Sequence, residues 1–127
     1  SSKPRRFESI ESYKHNCAKL ILKNWINHNP GLINAKEVIK IKVEEQFCDG
    51  GMIIFVPDLT VYDRNGVSFF IEVCHKSPLT EWKCEKIETY CNLHNWKNIS
   101  IIEVDSDWIL NQIKEPESLR IKQMYVI

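Results

Sequence analysis

At 127 residues the chain is long enough to close one hydrophobic core without disulfides or a structural metal. With 43% hydrophobic and 27% charged residues it is neither a disordered nor a collagen-like polymer, and no apolar run approaches the roughly 18 residues of a membrane span. Net charge is zero, but residues 1–40 carry eight Lys/Arg against three Glu, which gives a basic flank to an acidic remainder. That distribution suits a phosphate-binding flank beside an acidic cluster; it is equally the pattern of a solvated basic helix with a loose tail.

The opening Ser1-Ser2-Lys3-Pro4 lacks methionine, which suggests a piece of a longer protein, and residues 1–7 read as a flexible tail on a single domain spanning 1–127. A helix is expected from about Glu8 to Asn27, with Ile10, Tyr13, Cys17, Leu20, Ile21 and Ile26 at helical spacing, closed by Pro30-Gly31. Alternation over Val38–Phe47 predicts one strand. The segments Met52–Tyr62 and Val67–Cys74 predict a β-hairpin around Asp63-Arg64-Asn65-Gly66. Ser77 offers an N-cap and Pro78 a first helical residue for a helix running to His94. A short strand over Ile99–Val104, a helix from Asp107 to Lys114 and an edge strand over Leu119–Ile127 complete the chain. The order α-β-β-β-α-β-α-β, with a hairpin and then a strand–helix–strand crossover, implies an α/β fold with a mixed sheet covered by helices.

The chemistry concentrates on the hairpin. A three-residue loop with Gly66 in the left-handed conformation makes paired residues sum to 130 and sets Asp58 opposite Glu72; a two-residue loop shifts the register by one and separates them. Opposed carboxylates some 5 Å apart (about 4.5–5.5 Å between Cβ atoms) repel. A raised pKa, a neighbouring cation or a divalent metal would offset that repulsion. Alternation puts Cys74 on the face of Glu72 and turns Val73 away. On the first helix Glu11, His15 and Lys19 fall four residues apart on one face, either as functional groups or as an ordinary ion-pair ladder. Lys83 and Lys86 lie one turn apart on the second helix.

Five cysteines, 17, 48, 74, 84 and 91, include no CxxC pair, which fits reduced thiols in an intracellular, reducing compartment, the cytoplasm foremost. Cys84, Cys91 and His94 have helical spacings that suit buried cysteines better than zinc. Of the four tryptophans, Trp25 and Trp108 read as core, Trp82 and Trp96 as exposed contacts able to stack on bases.

Pro57-Asp58, thirteen intervening residues and Glu72-x-Cys74 resemble the PD-(D/E)xK nuclease signature. Glu11-Ser12-x2-His15-x2-Ala18-Lys19 resembles the opening helix of the competence protein CoiA-like nucleases. The block Asp58-Leu59-Thr60-Val61-x4-Gly66-x4-Ile71-Glu72-Val73-x-His75-x2-Pro78-x4-Lys83 resembles their centre, and Ile101-Ile102-Glu103-Val104-Asp105-Ser106 their following strand. The match is discontinuous from about residue 11 to 106. It implies a restriction-endonuclease-like core and a Mg²⁺- or Mn²⁺-dependent endonuclease, with DNA expected ahead of RNA. One departure is plain: Cys74 stands where the signature has lysine, so Lys83, the matching CoiA-like position, or Lys86 would supply the cation.

The resemblance assigns Asp58 and Glu72, with the Val73 carbonyl, to the metal, and Lys83, Lys86 and Lys19 to catalysis. His15 is a further candidate ligand, as in the viral cap-snatching nucleases that the chain resembles more distantly, and Glu11 an outer ligand or the group orienting His15. Lys14, His15, Lys19, His75 and Lys76 would contact nucleic acid. A second copy of the chain or further domains are compatible partners; a membrane is not expected. The alternative is a catalytically silent domain of this fold that binds nucleic acid or protein.

Overall fold

The computed structural model describes residues 9–127, so the expected tail over residues 1–7 lies outside the described residues. Helix α1 (Ile10–His28) is capped by Ser9, whose hydroxyl accepts the Ser12 N–H at 3.0 Å. Its buried face is Ala18, Lys19, Leu22, Trp25 and Ile26, whereas Ile10, Tyr13 and Leu20, expected among the core positions, are exposed. A 3-10 turn over Pro30–Ile33 follows.

The strand expected over 38–47 is two strands, β1 (Lys40–Val43) and β2 (Phe47–Asp49). Glu44 between them has φ +52°, a left-handed conformation that no strand continues through. The strand expected over 52–62 is likewise β3 (Met52–Phe55) and β4 (Leu59–Asp63), parted at Val56-Pro57-Asp58, where proline lacks the N–H a ladder needs. These breaks let β2 and β3 pair as a separate small hairpin. Phe47 and Phe55 stack there with centroids 4.8 Å apart.

Strand β5 (Gly66–Cys74) pairs antiparallel with β4, and the turn differs from expectation. Asp63 pairs with Gly66 across a two-residue loop, Arg64-Asn65, so Tyr62 meets Val67. The displaced register is then corrected by a bulge at Ser68, whose hydroxyl donates to the Val61 carbonyl at 3.2 Å. Leu59 faces Ile71 and Thr60 faces Phe70, the register that sums to 130.

Helix α2 (Glu81–Leu93) begins three residues later than expected, capped by Thr80, whose Oγ1 accepts the Lys83 N–H at 3.2 Å. Leu79 is buried instead of helical, and its N–H is bound by the Glu103 carboxylate. Strand β6 (Ser100–Asp105) pairs parallel with β5. Helix α3 (Ser106–Leu110), capped by Asp105, is shorter than expected, and β7 (Ile121–Val126) forms the edge. The result is a mixed five-stranded sheet in the order β1-β4-β5-β6-β7.

Helices α1 and α3 cover one face, packing Leu22, Ile26 and Ile109 on Leu59, Val61, Ile71, Val73, Ile102 and Val104. Helix α2 and the small hairpin cover the other, with Cys84, Ile87, Tyr90 and Cys91 on Phe70, Ile99 and Ile101. Each fully buried aliphatic side chain is worth about 1.5–3 kcal/mol, and both faces of β5 benefit. Trp25 and Trp108 meet edge to face at 6.1 Å, and Cys84 and Cys91 lie on the core face of α2, as the sequence suggests. All five cysteines are free. Among the described residues no helix is long and apolar enough to cross a membrane.

Candidate active site

Chain geometry brings the acid pair together at the point where β4 begins and β5 ends. Asp58, one step outside the β4 ladder, turns its Oδ2 to accept the Val73 N–H at 2.8 Å, and Glu72 Oε2 accepts the Asp58 N–H at 3.0 Å. Each carboxylate therefore holds the other residue's strand end. Neither acid is free in water: Glu72 is 4% exposed, and the Asp58 side chain 16%.

Each acid has its own lysine. Lys83, from the first turn of α2, sets its ammonium against Glu72 Oε1. Lys19 is 2% exposed, with Nζ 3.1 Å from Glu44 Oε1 and 3.8 Å from Asp58 Oδ1. The left-handed Glu44 is what brings its carboxylate there, and its N–H donates to the Asp58 carbonyl at 3.0 Å. The repulsion expected of the pair is thus offset by two ammonium groups and a proton affinity change. Burial, reinforced by Asp58, pushes the Glu72 carboxyl above the ordinary range, and Lys83 offsets this only in part. Burial alone would lower Lys83, but the Glu72 carboxylate outweighs it and holds the ammonium above the usual lysine range.

His15 joins them from α1. Its Nε2 lies 2.6 Å from the Val73 carbonyl and 3.4 Å from Asp58 Oδ2. A carbonyl only accepts, so Nε2 carries the proton. Cys74 lies beside Glu72 and Glu103, and burial with these carboxylates pushes its thiol up to about 12. It is a neutral SH at physiological pH, neither a nucleophile nor the cation of the signature.

The cleft over these groups has a volume of about 640 Å³ and is lined by His15, Asp58, Glu72, Val73, His75 and Lys83 among others. Other expected residues lie elsewhere. Glu11 does not reach His15: its Oε1 is 3.6 Å from Lys76 Nζ and 3.7 Å from His75 Nε2, at the rim, where His75 Nδ1 meets Asp107 Oδ2 at 3.1 Å. Lys76 and His75 at the rim thus already face carboxylates. Lys14 is exposed on α1, outside the cleft lining. Lys86 points along α2 instead of inward, its Nζ 5.2 Å from the Trp82 ring centroid, which excludes it from the acid pair. Trp96, expected to be exposed, packs into the aromatic cluster with Phe47 and Tyr90.

Two residues without an assigned role in the sequence reading matter here. Glu44 is the partner of Lys19, invisible without the left-handed turn. Glu103 is fully buried; Oε1 accepts the Leu79 N–H at 3.1 Å and Gln123 Nε2 at 2.7 Å, while Gln123 also donates to the Leu79 carbonyl at 3.2 Å. The pair clamps the segment from which α2, and with it Lys83, departs. A carboxylate in an apolar strand was the available signal.

Among the described residues no three His, Cys, Asp or Glu side chains group to hold a metal ion. By donor type the acid pair and the Val73 carbonyl suit a hard divalent cation, which would take the places now filled by the Lys83 ammonium and the His15 N–H. In comparisons with known proteins the chain matches no family model and no curated protein.

Proposed function

We propose that the chain is a metal-dependent nuclease with a restriction-endonuclease-like core, similar to the PD-(D/E)xK and CoiA-like enzymes, hydrolysing phosphodiester bonds with DNA ahead of RNA. The observation that carries this reading is the ammonium of Lys83 against Glu72: a helix supplies the cation that Cys74 does not. A strand acid, a second acid at the adjoining strand end and a lysine in one cleft make the charge pattern that phosphoryl transfer needs.

Asp58, Glu72 and the Val73 carbonyl would hold Mg²⁺ or Mn²⁺, which when bound supplies Lewis-acid stabilisation of phosphoryl charge and water activation. Lys83 directs positive charge to the oxygens that become more negative as the bond breaks. His15, on a rigid helix, presents an N–H toward the same space, and Lys19 fixes the Asp58 carboxylate from below.

A second reading, a silent domain of this fold that binds nucleic acid or protein, is favoured by one specific feature: each of the two acids already faces a lysine of its own. The test is cleavage of single- and double-stranded DNA and RNA with Mn²⁺ by wild type, Asp58→Ala, Glu72→Ala and Lys83→Ala. Loss in all three variants by a factor of about 100 or more supports the nuclease. Equal cleavage in wild type and variants sinks it, and Mn²⁺ binding by calorimetry with no cleavage supports the silent domain.

A further inference from the structure

Trp82, next to Lys83 in the first turn of α2, is 70% exposed. It lines the acid cleft on one side and, on the other, a second groove of about 440 Å³. The walls of that groove are Ile54, Tyr90 and Leu93, and its polar groups include the carboxylates of Asp49 and Glu85. Lys86 sets its ammonium over the indole at 5.2 Å from the ring centroid.

We propose that Trp82 is a stacking platform for an unpaired nucleobase next to the acid cleft, so that the substrate is single-stranded nucleic acid. The inference rests on the nuclease reading of that cleft and names its substrate class. An exposed indole offers a flat apolar surface at low entropic cost, and a base can lie on it only if it is not already stacked within a duplex. The charges decide which part of a nucleotide goes where. In the second groove the carboxylates of Asp49 and Glu85 outnumber the single ammonium of Lys86 and disfavour a phosphate there, whereas on the other side of the indole Lys83 lines the acid cleft. The uncharged base therefore enters the second groove, and its phosphate stays on the Lys83 side of the indole. The cation over the indole strengthens the platform by holding the ring and raising the local positive potential.

The experiment is fluorescence anisotropy of labelled oligothymidine and oligouridine in EDTA, where no cleavage interferes, beside an abasic strand of the same length and a blunt duplex. Wild type is expected to bind both single strands about tenfold more tightly than the duplex or the abasic strand. Trp82→Ala should lose that factor on single strands only, and Trp82→Phe should keep most of it; a thermal melt confirms that both variants are folded. Duplex binding as tight as single-strand binding, or equal affinity of wild type and Trp82→Ala, overturns the proposal. So does concentration-dependent self-association abolished by Trp82→Ala with oligonucleotide binding unchanged, which assigns the face to a second copy. Base-dependent binding without cleavage in Mn²⁺ would leave this inference standing and remove the nuclease reading beneath it. Cleavage indifferent to Trp82 would do the reverse.

Discussion

On the α1 side of the sheet the strands present Leu59, Val61, Ile71, Val73, Ile102 and Val104, an aliphatic surface interrupted by no polar group. On the α2 side the same strands present Phe70 and Ile101 and then, one pleat further, Glu72 and Glu103, with buried Thr60 alongside. On the first face the sheet is aliphatic, and the charge buried there, Lys19, comes from the helix and serves Glu44 and Asp58. The second buries two carboxylates, each of which is costly unless every nearby donor is well aimed. The difference marks where the sheet carries buried charge that packing alone does not require.

The contrast can be tested most forcefully at the apolar end of the α2 face. Phe70→Ala, at the aromatic end of the α2 face, removes a fully buried ring in contact with Phe47 and Phe55 and should cost about 3–5 kcal/mol by urea denaturation. A loss below ~1 kcal/mol would mean that the α2 face is loosely packed. Next, Glu103→Ala leaves the Leu79 N–H without its acceptor and the Gln123 amide with the Leu79 carbonyl alone, and should cost about 1–3 kcal/mol, with Glu103→Gln intermediate. If Glu103 only fills space, Ala and Gln variants will melt together.

Removal of the Thr80 cap is a smaller change, about 1 kcal/mol, and it should reduce cleavage more than it reduces stability because the first turn of α2 carries Lys83. Activity that falls only in proportion to unfolding would argue that Lys83 does not act. The smallest effect is the pH dependence of Glu72. Its folded carboxyl lies above the ordinary 4.5, so the folded state takes up this proton before the unfolded chain does. The ionised carboxylate therefore destabilises at neutral pH, and wild type should gain stability relative to Glu72→Gln as pH falls through the raised value toward 4.5. Parallel stability curves for the two proteins would contradict the shift.

Helix α1, the β4–β5 hairpin and strand β6 are legible in the sequence because their signals are local: periodicity, β-branched runs and a turn tetrapeptide. The acid pair was legible for a reason that proved only half right. A two-residue loop with a bulge at Ser68 gives the same register as a three-residue loop, so the pairing at Asp58 and Glu72 survives a mistaken turn. What the sequence hides are the places where tertiary demand overrides local preference. Val38–Phe47 reads as one strand, but Phe47 is required on the α2 side while Ile41 stays on the α1 side, and Glu44 turns to allow both. Ser77-Pro78 is a good helix start by composition, yet Glu103 holds Leu79 extended and defers the start to Thr80. Lys19 reads as a surface charge and is buried, because Glu44 and Asp58 arrive from distant segments to receive it.

Helix α2 is the crossover between the parallel strands β5 and β6, and Lys83 rides on it. Parallel pairing cannot form until that long connection has closed, which makes it one of the slower events in folding. Lys83 stands at the start of that connection, so its contact with Glu72 ties the beginning of the crossover to the end of β5. The acid–lysine pair therefore joins the strand and the helix of the crossover, and a chain in which β6 has not docked lacks the framework that holds it.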